Sequence, residues 1–195
     1  MPPLAGRDNH AWPLINESAI DTGVVAHYAQ ATIMSRKSSF APMADGRTRL
    51  LILGSLPGER SLAEGQYYAH PRNQFWSLLG HAIGVNLGGL GYEPRLAALL
   101  EARIGLWDVV ASARRSGSND SAIRDYAAND LPALVGSLAE LRAVAFNGAT
   151  ALRIGKPLLT GYELAMVALP SSSALHTIGI AAKQPAWDAL VAFIA

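Results

Sequence analysis

Residue types able to do chemistry concentrate between positions 54 and 76 and again between 170 and 176. Gly54-Ser55-Leu56-Pro57-Gly58 follows a short apolar run. Its glycines let backbone approach a ligand closely and its proline fixes the turn, so the backbone amides of Ser55 to Gly58 can donate without any side chain. The turn lacks the Gly-Lys-Ser/Thr ending of a phosphate loop, the spaced glycines of a dinucleotide fingerprint and the G-x-S-x-G of a hydrolase elbow. Taken alone, it reads equally as an ordinary strand-to-helix turn. Beyond it, Gly65-Gln-Tyr67-Tyr68-Ala-His70-Pro71-Arg72-Asn73-Gln-Phe75-Trp76 gathers aromatic faces, an imidazole, a guanidinium and a carboxamide in one run, which few core segments do.

These residues need elements to hold them. Arg49 to Gly54 is a short apolar strand, and Asn73 to Val85 has the apolar spacing of a helix, so strand, loop and helix open a parallel α/β unit. Ile104–Val110, Arg142–Phe146 and Glu163–Leu169 read as further strands. Helical segments are expected at Ser121–Asp125, Asp130–Glu140, Ala149–Ile154 and Lys183–Ile194. The alternation predicts an α/β fold: a three-layer α/β/α sandwich with a central, mainly parallel four-stranded sheet. Ligands bind such sheets outside the carboxyl ends of the strands, which directs attention to the loops after Leu53, Val110, Phe146 and Leu169. Residues 1–39, with one candidate helix at Ser18–Ser35, read as an N-terminal extension of unknown role, and residues 40–195 as the functional domain.

Composition narrows the classes. The chain has 195 residues, half of them hydrophobic, and a formal net charge of +1. That suits one globular domain; no stretch approaches the roughly 20 apolar residues of a membrane span, and the N-terminus lacks a secretion signal's layout. A cytoplasmic, intracellular monomer is expected, nucleoid-associated in a bacterium. With no cysteine and five histidines that show no ligand spacing, neither a metal nor a cofactor is expected. Near-neutral charge leaves nucleic acid open, because phosphate binding depends on where cations sit. Arg60, Arg72, Arg114, Arg115 and Lys183 lie near the relevant loops, where a phosphate patch competes with ordinary solvated surface.

The ordered motifs resemble the uracil-DNA glycosylase superfamily, and most of all its hypoxanthine-DNA (deoxyinosine) glycosylase family, in which the turn reads G-S-x-P-G and the later run Y-Y-x-H-P-R-N-x-F-W. Leu106-Trp107-Asp108-Val109-Val110 with the following Ser112-Ala-Arg-Arg-Ser-Gly-Ser118 resembles the second active-site strand and loop, and Phe146-Asn147-Gly148 a strand end shared with the thymine-DNA branch. Leu169-Pro170-Ser171-Ser172-Ser173-Ala174-Leu175-His176 is similar to that branch's DNA-entering loop. The resemblance runs from about Phe40 to the C-terminus.

It implies a monofunctional DNA glycosylase of base excision repair. Such an enzyme flips a deaminated base from double-stranded DNA and hydrolyses its N-glycosidic bond, with hypoxanthine preferred, to leave an abasic site. Tyr68 would stack on the extruded base, worth about 1–3 kcal/mol; a core tyrosine is the alternative. Asn73 would orient the attacking water, which its carboxamide can bind but not deprotonate; the alternative is a helix cap. Gly54, Ser55, Leu56, Pro57 and Gly58 would hold the base through their backbone. Asp108 would accept the N1–H of hypoxanthine as an ionised carboxylate, or instead form an ion pair with Arg114 or Arg115. His176 would steady charge on the departing base or contact phosphate. Leu175 would wedge into the stack, with Ser171, Ser172 and Ser173 on the phosphates. Phe75 and Trp76 read as core.

One departure matters. Better-known branches carry their catalytic Asn third in the turn, where this chain has Leu56, so uracil excision becomes the weaker expectation and the burden moves to Asn73. A glycosylase for uracil or another modified pyrimidine, a silent lesion-binding module and a phosphate-binding metabolic enzyme are the rival expectations.

Overall fold

The computed structural model describes residues 36–195. The candidate helix at Ser18–Ser35 and the extension up to residue 35 lie outside the described residues. Four strands form a parallel sheet: β2 (Leu50–Gly54), β3 (Ile104–Asp108), β6 (Ala143–Asn147) and β7 (Ala165–Leu169), in the order β3-β2-β6-β7. The central strand β2 is aliphatic up to its closing glycine and buried throughout, as expected of a strand covered on both faces.

Strand periodicity divides that burial between two cores. Leu50 and Ile52 pack with helices α2 (Phe75–Ile83), α3 (Tyr92–Glu101) and α6 (Ile180–Asp188) through Phe75, Leu78, Leu99 and Trp187. Leu51 and Leu53 face α4 (Leu131–Ser137) and α5 (Ala149–Leu158) through Leu131, Val135, Ala151 and Ile154. Alternate side chains therefore serve opposite layers, and the three-layer α/β/α arrangement with its four-stranded parallel sheet follows. No helix among the described residues is long and apolar enough to cross a membrane.

A second sheet departs from the sequence expectation. Strands β1 (Arg36–Ser38), β4 (Val110–Arg114) and β5 (Arg124–Ala128) pair antiparallel in the order β1-β4-β5. The expected strand Ile104–Val110 stops at Asp108, and the chain starts a new strand at Val110. At that break the Val109 and Val110 amides donate to Gly54 O and Ser55 O at 2.8 and 3.1 Å, following β2 out of the sheet. The helix expected at Ser121–Asp125 is instead a single 3₁₀ turn, Asp120–Ala122, running into β5. Asn119 caps that turn by accepting from the Ser121 amide, and β5 is exposed along its whole length, so no apolar period betrays it.

Other boundaries move modestly. Helix α1 (Glu59–Glu64) and α3 are additional to the elements expected from sequence. Helix α2 begins at Phe75 rather than Asn73, β7 at Ala165 rather than Glu163, and α6 spans Ile180–Asp188 before a 3₁₀ turn to Phe193. Arg36–Ser38, read as part of the extension, pair with β4.

Candidate active site

The carboxyl ends of the parallel strands open into a cavity of about 440 Å³, within the usual range for small-ligand sites. The turn Gly54–Gly58 after β2, Asp108 at the end of β3, Asn147 at the end of β6 and the loop Ser171–Leu175 after β7 all line it. So do Tyr68 and Asn73 from the aromatic run. Of the residues assigned a role in catalysis, base binding or the DNA-entering loop, His176 alone lies off the cavity wall; it is exposed on the loop, its carbonyl accepting from Lys183 at 3.0 Å.

Gly54 explains how the floor is built. A Cβ there would stand 2.6 Å from Asp108 Oδ1 and 3.2 Å from the Tyr68 hydroxyl, so glycine lets a carboxyl and a phenol converge at the strand end. Phe75 covers one face of Tyr68, with ring centroids 3.7 Å apart and planes within 8°. Tyr68 also lines the cavity. Tyr68 holds φ at +54°, a left-handed conformation costly for a bulky residue and characteristic of functional sites. Leu56 is buried in the core cluster that also holds Val109 and Phe146, and its apolar side chain offers a water no hydrogen bond.

Asp108 is 3% exposed and its Oδ2 has no hydrogen-bond partner among the described residues. Burial, reinforced by the nearby Asp120 and opposed by Arg115, pushes its carboxyl up to about 8. The ionised acceptor expected from sequence is therefore a mostly neutral acid at pH 7, able to donate as well as accept. Nor does Asp108 pair with Arg114 or Arg115. Arg115 lies 3.6 Å from Asp120, and Arg114 reaches Asp125 at the surface.

Arg115 is completely buried, so it is no phosphate contact. Its guanidinium donates to Leu56 O at 3.1 Å, to Gly117 O at 2.9 Å and to Pro57 O. Because the amide of a trans peptide points opposite its carbonyl, pinning Pro57 O turns the Gly58 N–H the other way. Lys183 is likewise buried, donating to Gln74 Oε1 at 2.8 Å. Of the arginines and lysine considered for a phosphate patch, Arg60 and Arg72 line the cavity.

Asn73 Oδ1 accepts from the Phe75 amide at 2.9 Å, so a helix-start contact is present. Its second lone pair and its amide nitrogen have no further partner among the described residues. Asn147 holds the loop after β7: Oδ1 accepts from Ser172 N and Nδ2 donates to Ser172 Oγ, both at 2.8 Å. Gly148, with φ at +100°, lets the chain turn there, where a Cβ would crowd Ser171. Ser172 O in turn accepts from Gln74 N at 2.9 Å, tying loop and helix start together.

Ser116 to Asp120 form one wall of the cavity; the loop up to Ser118 was expected there from its resemblance to the family's active-site loop, whereas Asn119 and Asp120 were not. Asp120 accepts from Ser55 Oγ at 2.6 Å, and burial pushes its carboxyl up against the opposing pull of that bond and of Arg115. The polar pair Asn119-Asp120 directly before the helix expected at Ser121–Asp125 was the available signal. Among the described residues, no group of three or more His, Asp or Glu could hold a metal ion.

Fold and cavity define an α/β domain with a small-ligand site at the carboxyl ends of its parallel strands. The Uracil DNA glycosylase superfamily model matches residues 42–191, and the chain belongs to that superfamily. It is 42% identical over 154 residues to a protein of Methanosarcina acetivorans named hypoxanthine DNA glycosylase, covering 79% of this chain and 97% of the relative. A Methanosarcina barkeri protein of the same name is 40% identical over 154 residues, covering 78% and 96%. The solution NMR structure of a Methanosarcina acetivorans protein, named provisionally as a uracil DNA glycosylase, is similar with a TM-score of 0.75 and 41% identity, covering 82% of this chain and 99% of that one.

Proposed function

We propose that this chain is a monofunctional DNA glycosylase that takes a deaminated base, hypoxanthine first, from double-stranded DNA and leaves an abasic site. The observation that carries this reading is the convergence of Tyr68, the Gly54–Gly58 backbone, Asp108 and Asn73 on one cavity of about 440 Å³, large enough for a purine. Two relatives at 42% and 40% identity that bear the name hypoxanthine DNA glycosylase support it.

In the proposed mechanism, Leu175, 63% exposed beside the cavity, fills the gap left by the flipped nucleotide, while Ser171 to Ser173, Arg60 and Arg72 meet phosphates. The base stacks on Tyr68. The neutral Asp108 carboxyl and the Gly58 amide meet its polar edge, and Asn73 orients the water that attacks C1′. His176 contacts phosphate from the loop. Among the described residues no lysine lines the cavity, so the proposed mechanism has no Schiff base and strand breakage needs alkali or a second enzyme.

A labelled duplex carrying one hypoxanthine tests this: base release with an alkali-labile site is expected, and intact substrate at high enzyme excess rejects it. One observation favours a second reading, a silent lesion-binding module, since Asn73 Oδ1 is already engaged by the Phe75 amide. Tight binding of several lesion duplexes with no base released from any of them is the outcome that reading requires.

A further inference from the structure

Asn73 can hold a water but cannot take its proton, and the turn position after β2 offers only Leu56. Two carboxyls line the cavity, and their surroundings differ. Asp108 is 3% exposed, with one oxygen sealed and unpartnered. Asp120 keeps 37% of its side chain exposed, accepts from Ser55 at 2.6 Å and lies 3.6 Å from the buried Arg115. Of these two carboxyls, Asp120 has both a cation at hand and an edge that water can reach.

We propose that Asp120 is the general base of the glycosylase reaction, taking the proton from the water that Asn73 orients. In this step the water oxygen bonds to C1′ as the C1′–N9 bond breaks. The bonding pair goes to the base, which leaves as its anion held by the turn amides. Asp120 takes one water proton, so the sugar keeps a 1′-hydroxyl; Asp120 then releases that proton to solvent, from which the base anion is protonated.

The inference rests on the glycosylase reading above. Two carboxyls in unlike surroundings, one sealed and one reached by water, can divide acid and base roles between them. Burial raises Asp120 toward the pH at which a base is most effective, while Ser55 and Arg115 resist that rise. The charged and titratable groups around it are Arg115 on the approach to its own loop and Asp108 and Tyr68 across the cavity. Glu59, paired with Lys37, lies beyond Arg115, and Arg60, His70 and Arg72 share the cavity wall.

The test is single-turnover release of hypoxanthine across pH by wild type, Asp120→Asn and Ser55→Ala, with affinity measured on a duplex holding a non-hydrolysable deoxyinosine analogue. Wild type should show an acid limb, with rate rising as Asp120 loses its proton. Asp120→Asn, which can still accept from Ser55, should lose about a hundredfold or more, lose the acid limb and keep its affinity. Ser55→Ala, deprived of the bond that lowers Asp120, should carry the limb to higher pH. Asp120→Asn within twofold of wild type, or an acid limb retained in it, overturns the assignment. If that variant does not fold, an unmoved limb in Ser55→Ala overturns it instead. A wild type that releases no base from any lesion duplex overturns the glycosylase reading and this inference together; an active wild type separates the two.

Discussion

Two of the walls that line the cavity are made differently. The wall from Gly54 to Trp76 rests on the parallel sheet: β2 is buried along its length, and Phe75 and Trp76 anchor the aromatic run in the core. The wall from Ser116 to Asp120 hangs from the small antiparallel sheet, whose outer strand β5 is fully exposed. It is held to the first wall by polar contacts, with Arg115 gripping the Leu56 and Pro57 carbonyls and Asp120 accepting from Ser55. A site can thus combine a scaffold secured by apolar burial with one secured by a buried cation and a few hydrogen bonds. Changes to the first wall should mostly strike chemistry, and changes to the second should also loosen the fold.

Asn73→Ala makes the sharpest break. Single-turnover hypoxanthine release should fall by about a hundredfold while duplex affinity stays within a few fold, because the side chain contributes one short-range contact to the Phe75 amide. Unchanged rates would remove Asn73 from its role. Arg115→Met probes the other wall. It leaves the Leu56 and Pro57 carbonyls without a donor, Gly117 O with Lys37 alone, and Asp120 without its cation, so urea unfolding should report a loss of about 2–3 kcal/mol. A midpoint matching wild type would mean that the clamp holds nothing.

Asp108 separates the walls by pH. The folded protein keeps its proton to about 8, whereas the unfolded chain gives it up in the ordinary carboxylate range. The stability associated with the neutral form is therefore full below that range and declines as pH rises toward 8. Asp108→Asn carries no charge at any pH, so its Tm relative to wild type should improve between about pH 5 and about pH 8. A constant difference would contradict the assigned burial. The smallest effect is expected for Leu175→Ala, which should slow excision from duplex several-fold, spare single strands and leave stability within about 0.5 kcal/mol.

The contrast also explains what was legible in the sequence. Leu50 to Leu53 declared a buried strand by unbroken apolarity, and the motif residues after it lie together because each follows the end of a parallel strand. Asp120 and Arg115 left no such trace. The exposed β5 lacks apolar alternation, Asn119 and Asp120 look like a helix start, and a buried arginine among Arg and Ser residues is indistinguishable from a solvated one until its carbonyl partners are seen. The protonation of Asp108 was equally invisible, since it depends on burial contributed by residues distant in the chain.

The central claim is base excision from a purine lesion, and the most direct measurement is the release of free hypoxanthine from a duplex with a single deoxyinosine under enzyme excess, quantified chromatographically. The account predicts stoichiometric release and an intact strand that breaks only on alkali treatment. Full-length substrate with no free base, under conditions where the protein binds that duplex, would contradict it.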